Sequence, residues 1–356
     1  MNMRERIMAV IKGGPLDRVP LVQYDGLVAP NEEVWEVLGR DRLGILRWSR
    51  VHRERHPNCS FEVKEREGKK EEEVTTLHTP RGSLTRRSSF DPTYGSRWIK
   101  KHYVEDLEDY GILNSYLRDC SIYRDLGQFE KDEEELGEDG YPLVALERTP
   151  YQQLRIEWVG LENLTRHLRK KPEVVEETLS LLGQRMEDIF KVVLDSPVEF
   201  VDFPDNITAP LLGPERFKRY CLPYYNELAQ KLKEEGQEKA VFVHMDGDLK
   251  PLWELIADSG VDGIDSLSPP PDNDTPLDKA VQMWPNKAFF VNFPSSVHLE
   301  EPEKIRCRTR ELLEAAGNTG RLQIQFSENV PPTVWRKSLP VIAGEIEKFG
   351  PPRSKW

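Results

Sequence analysis

Paired cysteines are missing from this sequence. Cys59, Cys120, Cys221 and Cys307 are scattered, and none sits in a CxxC or HxC arrangement. That excludes a disulfide framework, gives no local support to a cysteine-ligated zinc site, and predicts reduced thiols in a cytoplasm. Long hydrophobic runs are missing too: no stretch approaches about 18 apolar residues, so no membrane span is expected. The opening, Met1 to Lys12, carries Arg4, Glu5 and Arg6 among short apolar stretches and lacks the continuous apolar core of a secretory signal. Basic charge is in deficit, with 50 Lys and Arg against 62 Asp and Glu, a formal charge of −12. A nucleic-acid backbone is thereby excluded as the main partner, although an anionic substrate could still be held in a local basic pocket. No GxGxxG follows an apolar strand, and no internal repeat or low-complexity segment is visible.

What is present fits a folded globular chain. Hydrophobic residues make up 38% and charged residues 31%, with both signs interspersed, which is globular rather than disordered. The 356 residues suffice for two small domains or one large α/β barrel with insertions. MRERIMAVIK spaces Met3, Ile7, Val10 and Ile11 as a helix, ended by Gly13-Gly14-Pro15, and a strand VPLVQYDG follows. Residues 55–115 read as a β-rich insertion, with Pro80-Arg81-Gly82 a hairpin signal and Glu71-Glu72-Glu73 beside Lys69-Lys70 a solvated turn.

From about residue 140, strand and helix patterns alternate. The strands are PLVALE (142–147), VEFVDF (198–203), AVFVHMDG (240–247), VDGIDSL (261–267), AFFVNFP (288–294) and RLQIQFSE (321–328). The helices between them include two separated at Pro172, one from Pro214 to Glu235, and a closing helix interrupted at Pro340. Alternation of this kind implies parallel strands joined by crossover helices, so the expected fold is α/β, a (β/α)8 TIM barrel forming a single domain over 1–356. An open doubly wound sheet is the rival.

In such a barrel the chemistry gathers at the C-terminal strand ends. Those ends read Tyr24 and Asp25, Glu147, Asp202 and Asp205, His244 and Asp246, Asp265, Asn292 and Glu328. An isolated Asp there reads equally as a loop or helix cap. His244 and Asp246 carry more, because residues two apart on a strand leave on the same face and can converge on one atom. The plainer account is a hydrogen-bonded core histidine. Histidine with nearby carboxylates can bind a divalent metal, or work without one as an acid–base pair; the residues leave both open.

At this point RERIMAVIKGGPLDRVPL (4–21) resembles the opening of the uroporphyrinogen decarboxylase superfamily. TPRGSL (79–84) with YVEDLEDYGIL (103–113) resembles the insertion of its methyltransferase-like branch. FVDFPDNITAPLLGPERFKRYCLPYYNEL (200–228), HMDGDLKPLWELIADSGVDGID (244–265) and AFFVNFP (288–294) match later strands and helices in order, over nearly the full length. True decarboxylases carry Arg-Gln-Ala-Gly-Arg-Tyr after the first strand, whose arginines meet the substrate carboxylates. Here that place reads YDGLVAPNEEVW (24–35), with no arginine and with Asp25, Glu32 and Glu33, which argues against an octacarboxylate tetrapyrrole.

The resemblance further implies that the zinc-binding His-x-Cys of the coenzyme M methyltransferases falls at His244-Met245-Asp246, and their later cysteine at Glu328. Carboxylates thus replace both thiolates. Hard oxygen donors suit polarising an ether oxygen better than activating a thiol. The pattern is similar to the O-demethylases of the superfamily, which pass methyl from a methoxylated aromatic to the Co(I) corrinoid (cobalamin) of a partner protein. It makes His244, Asp246 and Glu328 the expected catalytic residues and, if zinc (Zn2+) binds, its ligands. Tyr24, Asp25, Glu147, Tyr151, Asp202, Asp205 and Asn292 are the expected substrate-binding set, Tyr24 and Tyr151 by packing on an aromatic ring. The rivals are a methylcobalamin-dependent enzyme methylating a thiol or folate, a decarboxylase-like lyase, and a non-catalytic binding barrel. Homo-oligomerisation stays open.

Overall fold

The computed structural model describes residues 1–66, 72–91 and 96–352. The Lys69 to Glu71 part of the expected solvated turn lies outside them, while Glu72 and Glu73 begin a strand. The chain divides into two compact units: Met1–Val51 with Leu126–Leu146 and the chain from Pro197 onward, and His52–Asp125 with Glu147–Ser196.

The first unit is a closed barrel of eight parallel strands: β1 (Leu21–Tyr24), β2 (Gly44–Ser49), β3 (Gly140–Ala145), β4 (Phe200–Phe203), β5 (Ala240–His244), β6 (Gly263–Leu267), β7 (Ala288–Asn292) and β8 (Leu322–Phe326). Each pairs with the next, and β8 pairs with β1 (Leu21 opposite Ile324) to close the ring. The expected (β/α)8 barrel is what forms. β2 was not legible in the sequence, and the sequence-read strands end up to three residues late: PLVALE stops at Ala145, so Glu147 lies beyond the strand.

Strand alternation sorts the interior into layers. Tyr141, Phe200, Phe242 and Phe290 fill the lower interior, with ring centroids 5.3 Å (Tyr141–Phe200), 5.6 Å (Phe200–Phe242) and 4.7 Å (Phe242–Phe290) apart. Ile7, Val10 and Ile11 of the first helix, Met3–Lys12, join the same core cluster. Two residues further along β4, β5 and β7, on the same face as these phenylalanines, stand Asp202, His244 and Asn292. The aromatic floor needs room: a Cβ on Gly263, which pairs with Phe242, would meet that ring at 2.1 Å.

The closing helix, Trp335–Phe349, runs through Pro340 rather than breaking there. Pro340 lies near the N-terminal start of the helix, where the missing N–H removes a single ladder bond. Conversely, the helix expected from Pro214 to Glu235 is preceded by a turn kinked at Gly213, whose φ is 72°. No helix among the described residues is long and apolar enough to cross a membrane, and the four cysteines are free.

The second unit holds an antiparallel sheet of Ser60–Arg66, Glu72–Thr79, Gly82–Asp91 and Ser96–Lys101. Its middle hairpin turns at Pro80-Arg81, with Thr79 paired to Gly82, as the sequence predicts. A two-stranded ribbon pairs His52–Arg55 with Ser121–Arg124. Helix Pro172–Leu194 buries Val175, Leu179, Leu182, Met186, Ile189 and Val193, a stripe at helical spacing.

Barrel closure depends on close approach at Gly140, where an added Cβ would lie 2.1 Å from the Ile45 carbonyl oxygen on β2. Backbone cannot yield as a side chain does, so Gly140→Ala is expected to lower stability by about 1–3 kcal/mol. A urea melt reads this as a lower midpoint, and an unchanged midpoint would contradict the packing described.

Candidate active site

Above the aromatic floor, a polar cluster occupies the C-terminal end of the barrel. His244 is the last residue of β5, and its partner across the ladder is Asp265 of β6. The His244 Nδ1 lies 2.7 Å from Asp265 Oδ2. Asp265 is fully buried and accepts three further hydrogen bonds: from the Tyr24 hydroxyl at 2.5 Å, from Gln325 Nε2 at 2.8 Å, and from the Ser266 hydroxyl at 3.3 Å. Gln323 Nε2 donates in turn to Gln325 Oε1 at 3.0 Å. A buried carboxylate is tolerated only when its lone pairs are met in this way. The β6 register shifts between Ile264 and Leu267, and Ser266 adopts φ 60°, so a bulge aims both Asp265 and the Ser266 hydroxyl into the cluster.

The other imidazole nitrogen, Nε2, faces Asp246 Oδ2 at 3.7 Å. Asp246 is held by Asn206, whose Nδ2 donates to Oδ2 at 2.9 Å from a left-handed backbone position (φ 49°), and Asn273 Nδ2 donates to the Asp246 carbonyl at 2.6 Å. Burial disfavours a charged ring on His244, but the carboxylates of Asp246 and Asp265 outweigh it and hold its pKa well above the usual 6.5. Burial likewise raises the Asp246 carboxyl, yet His244 pulls it below its ordinary value. Tyr24 is pushed the other way, by burial and then by the Asp265 and Asp202 charges, so it stays a phenol and a donor.

Glu328 follows β8 and is half-buried. Its carboxyl is raised by burial and by the negative charge of Asp246, with Asp272 adding to this; Ser295 and His244 oppose. The Ser295 hydroxyl donates to Glu328 Oε2 at 3.3 Å. Asn292 sits fully inside and accepts from the Ser327 backbone N–H at 3.1 Å, thereby fixing the turn that carries Glu328. His244, Asp246 and Glu328 are therefore electrostatic neighbours. Among the described residues of this unit, however, the metal-type group whose ligand atoms all lie within 4.8 Å of one another is Asp202, His244 and Asp265.

The remaining sequence-predicted residues fall in different surroundings. Tyr24 packs edge-on against Trp48 at 5.2 Å and serves Asp265. Asp205 is buried and accepts the Tyr225 hydroxyl, which makes it a packing partner. Asp25 is bound by Arg47 Nε at 2.5 Å and by Asn31 Nδ2 at 2.6 Å. Glu32 pairs with Arg40, and Glu33 with Arg336. The uncompensated negative charge expected over residues 24–35 is thus corrected: each of these acids faces an arginine from elsewhere in the chain. Glu147 and Tyr151 belong to the second unit, where Glu147 lies 3.9 Å from His52 Nε2 and Tyr151 is fully buried. Sequence reasoning placed Asp265 among the strand ends without giving it a task, and missed Gln325 and Ser266. The alternation in Gln323-Ile324-Gln325 was the available signal, since polar residues two apart on a barrel strand share one face.

The residues around His244 offer donors of the kind a divalent cation takes. The Nδ1 of His244 is already bonded to a carboxylate, the usual arrangement that leaves Nε2 to coordinate. The charge of Asp246 raises the cost of ionising Glu328, and a cation beside them would relieve it.

Residues 155–335 match the family described as uroporphyrinogen decarboxylase (URO-D). No protein of curated function matches the sequence. Among solved structures, a methyltransferase from Methanosarcina mazei is similar over 98% of this chain and 99% of its own, at 13% identity and a TM-score of 0.61. A B12-independent methionine synthase from Shewanella sp. W3-18-1 is similar over 82% of this chain and 76% of its own, at 12% identity and a TM-score of 0.43. With the family match spanning just over half of its length on an eight-stranded parallel barrel, the chain belongs to the uroporphyrinogen decarboxylase family.

Proposed function

We propose that this chain is a methyltransferase that removes the methyl group of a methoxylated aromatic and delivers it to the Co(I) corrinoid of a separate partner protein. The observation that carries the reading is His244 clamped between Asp265 and Asp246, with the Glu328 carboxyl beside them. The resemblance puts oxygen donors, Asp246 and Glu328, where thiol-methylating members of the superfamily carry cysteines. A methyltransferase that shares the barrel over its full length is compatible with methyl transfer on this architecture; the chemistry itself is argued from the residues.

In the reaction the methyl carbon passes to the acceptor cobalt, which contributes the electron pair of the new bond, while the aryl oxygen leaves with the pair of the broken one. Negative charge therefore develops on that oxygen, and the site must meet it. With its pKa held above the usual value, the His244 ring presents a positive charge and an N–H from Nε2 to the departing phenolate. Asp265 fixes the ring plane from Nδ1, and Tyr24, Gln325 and Ser266 hold that carboxylate in place. If loaded, a zinc-class cation held by His244, Asp246 and Glu328 would supply Lewis-acid stabilisation of the same oxygen. Asn292 and Asp202 line the same buried layer and orient substrate or ligands.

Two outcomes test the reading. With reduced corrinoid protein and a panel of methoxyaromatics, followed by cobalt absorbance, His244→Ala should lose at least about 100-fold in rate, the lower bound for removing a positioned acid. Near-normal turnover in that variant would remove His244 from the mechanism, and methylation of a thiol from methylcobalamin instead would favour the acceptor-side enzyme. Separately, purified protein should hold at least one equivalent of zinc, and Asp246→Ala should hold one equivalent less; a metal-free, fully active sample would leave acid assistance alone.

A further inference from the structure

The second unit contains a separate group of metal-type ligands that the proposed methyl transfer does not use. His52, Glu54 and His56 follow one another at every second position in HRERH, so an extended chain sends all three to the same side. The strand His52–Arg55 pairs antiparallel with Ser121–Arg124, Arg55 opposite Ser121. Continued by one residue, that register sets Cys120 across from His56. The ligand atoms of Glu54, His56 and Cys120 lie within 4.8 Å of one another, and Glu54 is shared with a second such group, His52, Glu54 and Glu147.

The details suit coordination rather than plain packing. Arg185 holds Glu54 through Oε1, which leaves Oε2 directed at His56 Nε2, 3.1 Å away. That separation is close to the edge of a tetrahedron with metal–ligand bonds of about 2.0 Å, roughly 3.3 Å. The His56 ring is stacked on Tyr116, centroids 4.0 Å apart and planes within 8°, so its orientation is fixed.

We infer that Glu54, His56 and Cys120 form a transition-metal site of the zinc class. A thiolate, an imidazole and a carboxylate are a zinc-type donor set, and three protein ligands leave a fourth position for water. Glu147 and the Cys120 thiolate, with Glu54, offset the charge of a dication beside Arg185. The ion would clasp the two ribbon strands, which approach from 64 residues apart in sequence.

Cobalt(II) titrated into the chelator-stripped, full-length chain tests this without reference to methyl transfer. Wild type and His244→Ala should both give a near-ultraviolet thiolate-to-cobalt band, which Cys59→Ser should retain and Cys120→Ser should lose. His56→Ala should weaken cobalt binding by at least roughly tenfold, the least that loss of even an outer partner costs. A band that survives Cys120→Ser, or its absence in folded wild type, would overturn the site, as would unchanged affinity in His56→Ala. Loss of the band in folded His244→Ala would overturn it as well, since the barrel cluster offers no thiolate.

Discussion

A carboxylate with no exposure to water, Asp265, is the constraint on which the barrel's polar end depends. Removing such a group from water costs several kcal/mol unless partners replace the lost hydration. Here they come from four strands: Tyr24 on β1, His244 on β5, Ser266 on β6 itself and Gln325 on β8. Because those strands are neighbours only when the barrel is closed, the charge is satisfied only in the correctly registered fold. The His244–Asp265 pair also orients the imidazole. By engaging Nδ1 it leaves a positively biased ring whose Nε2 looks toward Asp246.

The layering beneath explains why the cluster sits where it does. Large rings fill the lower interior, so no water-sized path needs to reach the buried carboxylate from below, and every polar side chain two residues further on is forced toward the strand ends. The tight spots, Gly140 against Ile45 and Gly263 against Phe242, are the geometric cost of packing rings inside eight strands. One link therefore runs from alternate residues along each strand to a dry, preorganised site at one end.

Much of this was legible in the sequence, and what was not has physical reasons. The strand–helix alternation from residue 140 onward gave the barrel, and His244-Met245-Asp246 gave two of the central residues, because period-2 geometry is local. Strand β2 escaped notice because Gly44–Ser49 carries Arg47 and a half-exposed Trp48, breaking the apolar run that marks other strands. Asp265 looked like any acid at a strand end; only the ladder shows that it pairs with His244. Glu147 was read as the last residue of its strand since PLVALE seemed to extend further than Ala145. Cys120 looked solitary, for its neighbours His56 and Glu54 are far away along the chain and meet it through an antiparallel register that no spacing rule encodes.

The central claim is that the aryl oxygen of the substrate meets the His244–Asp246 end of this network. A crystal structure with a bound methoxyaromatic or its phenol product tests that placement most directly. The account predicts the ring in the barrel mouth with its oxygen within about 3 Å of His244 Nε2, or of an ion held there. A ring lodged elsewhere, or bound with that oxygen turned to solvent while the enzyme remains active, would contradict it.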